Sequence, residues 1–348
     1  MAVPSKKILL ISIALVTVCV AAGVLLTRQP VPEAVSAKVV SKRAPEVTQC
    51  TLPAQPDAKH PGMVWVPGGS YEMGDTVYPE ESPIQKVKVA GFWMDRTEVT
   101  NAEFAAFVKA TNYITDAERG PDPKLQTALP PEMRLPGAVV FVVPANVNNQ
   151  GSAMQWWRYM PGANWRHPAG PATTIEGRES FPVVAVSYAD AKAYAKWKGR
   201  SLPSEAQWEW AARAGQPQAS KDHAQPKDAN SWQGIFPMVN SAEDGFTGLA
   251  PVGCYAANAY GLFDMIGNVW EFTTDAWRPF HGDPEGKPDQ APRLAADAAQ
   301  RVIKGGSYLC SPDYCMRYRA GARQPQDDDL GASHLGFRTV LVKPDPRS

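Results

Sequence analysis

Two cysteines near the carboxyl end of the chain, Cys310 and Cys315, constrain this sequence more than any other feature. They are two of only five cysteines among 348 residues, and four residues separate them. The surrounding segment, residues 305–319, is rich in glycine, aromatic and arginine residues. So close a pair forms a tight disulfide, half of a thiolate metal site or a redox pair. Taken alone the pair favours a structural disulfide, and the two other interpretations stay open.

The overall composition excludes some functions and favours one kind of fold. Lys and Arg together number 35, as do Asp and Glu, so no net charge attracts the chain to nucleic acid. A hydrophobic content of 44% indicates a globular body. The high counts of proline (33), glycine (27) and tryptophan (11) predict a loop-rich body whose core is formed by aromatic residues.

The amino-terminal segment differs from the rest of the chain. Lys6 and Lys7 precede an apolar run over residues 8–26, which as a helix would extend about 28 Å, close to the hydrocarbon thickness of a bilayer. The lysines are expected to stay in the cytoplasm, so the remainder is exported to a periplasm-type compartment. Residues 1–28 are therefore interpreted as an inner-membrane anchor or, because residues 20–22 suit cleavage, as a signal peptide after which the body is secreted.

Two more segments follow along the chain. Residues 29–61 are rich in proline and small residues and have no sustained periodicity, which predicts a linker. Residues 62–348 are expected to form the body. The body has no internal repeat, and glycine and proline interrupt it often, so a single irregular α+β domain is predicted.

Several elements of the body are predicted from local patterns. Residues 63–69 indicate a short strand that runs into a turn, and residues 85–94 indicate a half-buried strand. Helices are predicted to begin after the capping residues Thr100 and Asn101, after Ser187, and after Ser204, which suits an N-cap.

A series of motifs runs in order through the body. It comprises residues 69–74, 94–101, 163–168, 182–187, 201–209, 260–271 and 335–338. Together these motifs resemble the sulfatase-modifying-factor family, over about residues 62–340. Residues 305–319 read Gly-Gly-Ser-Tyr-x-Cys-x-x-x-Tyr-Cys-x-Arg-Tyr-Arg, which is similar to the active-site stretch of formylglycine-generating enzymes. The resemblance implies the loop-rich fold of those enzymes, with little regular secondary structure and a relation to the C-type lectin fold.

The resemblance also implies a copper-dependent oxidation. Cys310 and Cys315 would bind copper(I), a soft ion that thiolates suit. The substrate would be the cysteine of a Cys-x-Pro-x-Arg motif in an unfolded sulfatase-type polypeptide, with O2 as co-substrate and Cα-formylglycine as product. The resemblance thus favours metal binding over a purely structural disulfide, and a disulfide in the metal-free protein is compatible with both.

Three neighbours of the cysteines are candidates for the same site. Ser307 and Tyr314 flank the pair and are interpreted as hydrogen-bonding groups for oxygen, a thiolate or the peptide. Trp270 corresponds to an aromatic residue that lines the family's active site. The alternative for Ser307 and Tyr314 is a role in the turn, and for Trp270 a place in the core.

The resemblance further implies two structural calcium sites, built from carboxylate, amide and main-chain oxygens. The first set is Asn230, Ser231, Asp244 and Phe246. The second set is Asp264, Gly267, Val269 and Glu271. The alternative for both sets is that their acids and amides cap turns.

Four positions lie outside these assignments. Ser311 follows the first cysteine, where related enzymes often have histidine, and His334 stands where the family usually has asparagine. His334 is more typical of a surface or turn residue than of a metal ligand. The remaining cysteines of the body and linker, Cys50 and Cys254, can pair in an oxidising compartment, but their spacing does not fix their distance.

Two other functions are weighed against the oxidase. A non-catalytic binding or regulatory module on the same scaffold would be favoured if either cysteine were missing, and both are present. A non-haem iron sulfoxide synthase of the same superfamily would need a histidine-rich helical domain, and the five histidines show no helical metal spacing. The protein is expected to act as a monomer and to contact the membrane only through its amino-terminal helix.

Overall fold

The computed structural model describes residues 47–54, 59–122, 129–144, 155–219, 223–281 and 299–342. The chain divides into a unit of residues 1–45 and a unit of residues 46–348, and the description concerns the second unit. No helix within the described residues is long and apolar enough to cross a bilayer. The predicted membrane segment, residues 8–26, lies outside them.

Short strands and helices alternate with long irregular segments. The strands are β1 (Met63–Val66), β2 (Gly69–Met73), β3 (Gln85–Val89), β4 (Phe92–Asp95), β5 (Gly137–Phe141), β6 (Trp157–Pro161), β7 (Trp270–Ala276), β8 (Gln300–Lys304), β9 (Arg323–Asp327), β10 (Leu335–Gly336) and β11 (Val340–Leu341). The helices are α1 (Asn101–Thr111), α2 (Asp116–Arg119), α3 (Tyr188–Trp197) and α4 (Glu205–Ala212). Short 3₁₀ helices span Pro79–Glu81 and Pro131–Arg134. The predicted loop-rich α+β fold is confirmed.

The strands form small sheets instead of one large one. One sheet has the order β1-β4-β11 and another the order β10-β7-β8-β9, and the pairs β2-β3 and β5-β6 are separate ribbons. The pairing of β10 with β7 is parallel, which sets Leu335 beside Trp270. Aromatic and aliphatic side chains bury the space between the sheets and helices, with Phe104, Trp208 and Phe337 fully buried. The aromatic core predicted from the composition is present.

The three predicted helix starts are confirmed. The side chains of Thr100, Ser187 and Ser204 each accept a hydrogen bond from the backbone N–H three residues later. Because a helix leaves its first N–H groups without partners, such a cap contributes about 1 kcal/mol.

One predicted element is wrong. The sequence predicts a single strand over residues 85–94, but β3 ends at Val89 and pairs with β2, whereas β4 begins at Phe92 and pairs with β1. The chain changes sheet at Gly91, where the backbone of Gly68 approaches closely. A Cβ atom on Gly68 would lie 2.8 Å from the nitrogen of Gly91. β3 alternates and β4 begins with three apolar residues, and both patterns are compatible with one continuous strand, so the sequence alone does not reveal the break.

The carboxyl-terminal end of the predicted linker contacts the body. Cys50 forms a disulfide with Cys254, with 5.1 Å between their Cα atoms. The backbone oxygen of Pro53 accepts a hydrogen bond of 2.9 Å from the Arg96 guanidinium. Residues 50–53 are therefore attached to the body, although no regular element begins before Met63 in the part of the chain that the structure describes.

Candidate active site

The loop that carries Cys310 and Cys315 joins β8 to β9 and is fixed at both ends by buried ion pairs. Lys304, the last residue of β8, is fully buried and donates to the Glu209 carboxylate of α4 at 2.9 Å. Beyond the cysteines, Arg319 pairs with Asp75 and Glu81. Buried charges are tolerated only when paired in this way, so the pairs hold the loop in one place.

A glycine allows the loop to fold back on itself. Gly306 has a φ of 76°, in the left-handed region, and a Cβ atom there would lie 2.8 Å from the Arg317 oxygen and 3.3 Å from the Cys310 sulfur. A side chain at this position would therefore be strained and would collide with the loop's own backbone. Gly306 thus brings Ser307 beside the cysteines.

The two cysteines lie side by side in this loop. Their Cα atoms are 4.6 Å apart and their sulfurs form a disulfide. The backbone N–H of Cys310 donates to the oxygen of Ser307, and that of Cys315 donates to the oxygen of Ser311, both at 2.9 Å. The side chains are buried from bulk solvent, with 1% of Cys310 and 6% of Cys315 exposed.

A cavity of about 370 Å³ opens beside the disulfide. Its wall includes all five residues proposed for the site, together with two that were not proposed for catalysis. These wall residues are Ser307, Cys310, Tyr314, Cys315, Trp270, Trp157 and His334. A cavity of this size suits a side chain and a short stretch of extended peptide.

The tyrosine of the wall is held by aromatic neighbours. The ring of Tyr314 stacks on Phe236 with 4.0 Å between ring centroids and an interplanar angle of 6°. Its phenolic oxygen accepts a hydrogen bond of 3.2 Å from the Trp157 indole N–H. Because the oxygen acts as acceptor in this contact, its own hydrogen remains available to donate into the cavity.

The histidine that departs from the family pattern belongs to the same wall. His334 is 8% exposed, its ring contacts Trp157 with 4.5 Å between centroids, and its Nδ1 has no hydrogen-bond partner among the described residues. Its backbone oxygen accepts from the N–H of Trp270 at 2.9 Å. Burial lowers the pKa of His334 to about 3, so the imidazole is neutral near neutral pH. His334 lies in the turn just before β10, as expected, but it is buried in the cavity wall and is not at the surface.

The other departure has a structural role. Ser311 is fully buried, and its hydroxyl donates to the Asp313 carboxylate at 2.5 Å. The second oxygen of that carboxylate accepts from the backbone N–H of Phe236 at 3.2 Å. Ser311 therefore helps to join the cysteine loop to the segment that carries Phe236.

Sequence reasoning did not identify two of these groups, Trp157 and Phe236. Trp157 is the first residue of β6, and Phe236 lies in an irregular segment after α4. Neither is close in sequence to the cysteines. The adjacent tryptophans at 156 and 157 were a usable signal, since two indoles in a polar segment must pack against some apolar surface.

The first candidate calcium set is brought together by one carboxylate. Asp244 accepts from the backbone N–H groups of Ser231 at 3.0 Å and of Phe246 at 3.1 Å. The amide nitrogen of Asn230 donates to the oxygen of Gly248, which leaves the amide oxygen of Asn230 as a further ligand. Burial raises the pKa of Asp244 in spite of these donors. A carboxylate, an amide oxygen and nearby carbonyls fit the oxygen ligands that calcium prefers.

The second candidate calcium set lies beside a buried arginine. Arg338 donates to both oxygens of Glu271 at 2.7 Å. Burial raises the pKa of Asp264 to about 6, and burial and the neighbouring Asp264 raise the pKa of Glu98. Within the part of the chain that the structure describes, one carboxylate oxygen of Glu98 also has no hydrogen-bond partner. The single arginine leaves this acidic group in need of a proton or a cation, which fits a calcium site.

Among the described residues, no group of three or more His, Cys, Asp or Glu side chains is close enough to hold a metal ion. The copper set has two cysteines, and each calcium set has at most two acids. None of these three proposed sites therefore requires three such side chains, because the calcium sets also use amide and main-chain oxygens. For copper the chemistry of the donors fits, because two adjacent sulfurs suit a soft monovalent ion.

A larger cavity of about 960 Å³ lies elsewhere on the body and includes Arg213 and Arg319 in its wall. Arg213 pairs with Glu209, and Arg319 pairs with Asp75. These cations are thus already engaged in the structure. The cavity beside the disulfide is the better candidate for chemistry.

The loop-rich α+β body with two cysteines in a cavity wall has the architecture expected of the sulfatase-modifying-factor family. The sequence profile of the Sulfatase-modifying factor enzyme 1-like domain matches residues 48–343, and the chain belongs to this family. It is 48% identical to the formylglycine-generating enzyme of Mycobacterium tuberculosis, over 80% of this chain and 97% of that protein. It is 43% identical to the formylglycine-generating enzyme of Thermomonospora curvata, over 80% of this chain and 92% of that protein. Among solved structures, PvdO from Pseudomonas aeruginosa is similar, with a TM-score of 0.52 and 25% identity over 80% of this chain and 93% of that chain.

Proposed function

We propose that this protein is an oxidase that uses O2 to convert a peptidyl cysteine to Cα-formylglycine. The observation that carries the proposal is the common cavity of Cys310, Cys315, Ser307, Tyr314 and Trp270. The substrate is an unfolded sulfatase-type polypeptide, or a similar client, with a Cys-x-Pro-x-Arg motif. An extended segment of this kind can insert one side chain into a cavity of about 370 Å³ while its backbone stays at the rim.

In this proposal Cys310 and Cys315, in the reduced form, hold copper(I). When bound there, copper supplies the one-electron chemistry with O2 that side chains alone do not provide. The protein's own groups position the substrate. Tyr314 and Ser307 donate hydrogen bonds into the cavity, and the buried indole of Trp270 excludes water from one wall.

The electron balance of the reaction requires a second reductant. Conversion of the substrate's CH2–SH group to an aldehyde and hydrogen sulfide releases two electrons, whereas reduction of O2 to water takes up four. Two further thiols therefore supply the missing pair and become a disulfide. The net products are the aldehyde, hydrogen sulfide, one water and that disulfide.

We propose that Asn230, Ser231, Asp244 and Phe246 bind one structural calcium ion and that Asp264, Gly267, Val269 and Glu271 bind a second. In the first set, the raised pKa of Asp244 is the supporting feature. In the second set it is the excess of carboxylates over Arg338. The first ion would link residues 230–231 to residues 244–246, and the second would fix the single segment of residues 264–271.

We propose that the body acts after export, as the Cys50–Cys254 disulfide supports, because such bonds persist in oxidising compartments. Residues 8–26 would anchor it in the inner membrane unless they are cleaved. Clients would then be modified as they emerge unfolded on the periplasmic side.

The test is direct conversion of a peptide. Purified full-length chain is loaded with copper(I) and incubated in air, with dithiothreitol, with a Cys-x-Pro-x-Arg peptide. Mass spectrometry then measures the conversion of thiol to aldehyde. We expect conversion by the wild type and none by Cys310→Ser or Cys315→Ser, while the Cys50→Ser/Cys254→Ser variant stays active. Failure of the copper-loaded wild type, or equal conversion by Cys310→Ser, would refute the proposal.

A further inference from the structure

A turn over residues 232–239 is attached directly to the cysteine loop. The backbone N–H of Trp232 donates to the oxygen of Cys310 at 3.0 Å. The indole N–H of Trp232 donates to the oxygen of Val239 at 2.9 Å and so closes the turn. The N–H groups of Met238 and Val239 both donate to the oxygen of Ile235. The position of the turn is thus fixed relative to the cysteines.

The turn has two different faces. Its inner face packs Trp232 and Phe236 against the aromatic groups next to the cavity, and Phe236 stacks on Tyr314. Its outer face presents three large apolar side chains to solvent. These are Ile235, Met238 and Val239, which are 66%, 47% and 55% exposed. We call these three residues the apolar turn face.

Single exposed apolar residues are normal on protein surfaces, but a cluster is informative. Ile235, Met238 and Val239 lie within five consecutive positions of one closed turn. Folding does not bury them, although the same turn buries Trp232 and Phe236. A partner that covers this face would remove three large apolar side chains from water at once.

Position and charge together indicate which partner fits. The stacked pair of Phe236 and Tyr314 makes the turn continuous with the cavity wall. A five-residue motif extends only about 17 Å, so residues just outside it reach the rim of the cavity, and the turn lies along one side of that rim. The acidic side chains of Asp313 and Glu243 lie at the base of the turn, and they would repel an anionic membrane surface.

We propose that the apolar turn face is a docking site for apolar side chains of the client that flank the Cys-x-Pro-x-Arg motif. The inference rests on the proposed function and adds a preference to it, namely for clients with large apolar residues directly outside the motif. Such residues are exposed only while a client is unfolded. The face would therefore favour nascent polypeptides over the folded product.

Two long peptides of equal length, compared with a short one, separate this preference from the reaction itself. The copper-loaded full-length chain is given a bare Cys-x-Pro-x-Arg peptide, a longer peptide with leucines flanking the motif, and an equally long peptide with serines there. We expect kcat/KM to be about tenfold higher for the leucine peptide than for the serine peptide, through a lower KM. Ile235→Ser/Met238→Ser should remove this difference and leave the bare peptide unaffected. Ile84→Ser/Ile114→Ser, which changes two exposed isoleucines elsewhere, should keep it.

The outcomes distinguish the two proposals. The docking site is overturned by equal kcat/KM for both long peptides, or by a leucine preference that survives in Ile235→Ser/Met238→Ser. In either case, conversion of the bare peptide still supports the oxidase. If no peptide is converted, fluorescence anisotropy still measures binding. If the leucine peptide binds more tightly than the serine peptide, and the double variant loses this difference, the docking site is supported without the oxidase. Equal binding of the two peptides overturns the docking site. A wild-type dimer that Ile235→Ser/Met238→Ser converts to a monomer in sedimentation would assign the face to a second copy and overturn it as well.

Discussion

The two disulfides of this protein form the same bond in very different surroundings. Cys310–Cys315 closes a loop between residues only five positions apart, in the wall of a cavity that also holds Tyr314 and Ser307. Cys50–Cys254 joins residues 204 positions apart and attaches the segment before β1 to the body. The comparison teaches that surroundings, not the bond, separate a candidate reactive pair from a structural one.

The largest expected effect is a contrast between the two double variants. Removing Cys50–Cys254 should mainly lower stability, whereas removing Cys310–Cys315 should abolish peptide conversion. Loop-closure entropy predicts a loss of about 5 kcal/mol in the free energy of unfolding for Cys50→Ser/Cys254→Ser, with peptide conversion retained. For Cys310→Ser/Cys315→Ser the predicted loss is about 2 kcal/mol, with conversion abolished. Guanidinium unfolding of the oxidised proteins, together with the peptide assay, checks both. Equal losses of stability, or loss of conversion from both double variants, would break the comparison.

The next effect concerns the pH dependence of the free energy of unfolding that arises from His334 in the cavity wall. The pKa of His334 falls from 6.5 to about 3 on folding because the ring is buried. Between those values the unfolded chain binds a proton that the native protein does not, so stability decreases as the pH falls. Between about pH 7 and about pH 4.5 this residue accounts for a loss of roughly 2–3 kcal/mol.

Urea unfolding at both pH values measures this loss. His334→Asn should lose correspondingly less stability than the wild type on acidification. Trp157→Phe, which changes the same wall but keeps the imidazole, should behave as the wild type does. Identical pH dependence in His334→Asn and the wild type would show that the imidazole is not held neutral in the wall.

The smallest effect concerns the orientation of Tyr314. Trp157→Phe removes the indole donor to the phenolic oxygen but keeps an aromatic ring in the wall. A single hydrogen bond of this kind contributes about 1 kcal/mol, so kcat for peptide conversion should fall roughly five- to tenfold. Trp197→Phe, on α3 and packed on Phe107 and Tyr194, serves as the control and should keep wild-type kcat. An unchanged kcat in Trp157→Phe would show that the indole N–H does not orient Tyr314 for the reaction.

Sequence reasoning was most successful where the chain is locally consistent. Thr100, Ser187 and Ser204 cap helices as their patterns predict. It was wrong about the strand over residues 85–94, because the change of sheet at Gly91 depends on the approach of Gly68.

Tertiary contacts between distant segments were not predictable. Trp157 and Phe236 meet Tyr314 only because β6 and the 232–239 turn converge on the cysteine loop. Similarly, nothing in the spacing of Cys50 and Cys254 fixes their separation, although the structure pairs them. The identity of these neighbours depends on the complete fold and not on any local pattern.

The central claim is that the Cys310–Cys315 pair, and not the Cys50–Cys254 pair, binds the metal. Titration of the reduced full-length chain with copper(I), in competition with a chromophoric chelator, tests this claim most directly. We predict one high-affinity copper(I) per chain in the wild type and in Cys50→Ser/Cys254→Ser, and none in Cys310→Ser or Cys315→Ser. Retention of the high-affinity ion by Cys310→Ser, or its loss from Cys50→Ser/Cys254→Ser alone, would contradict the account.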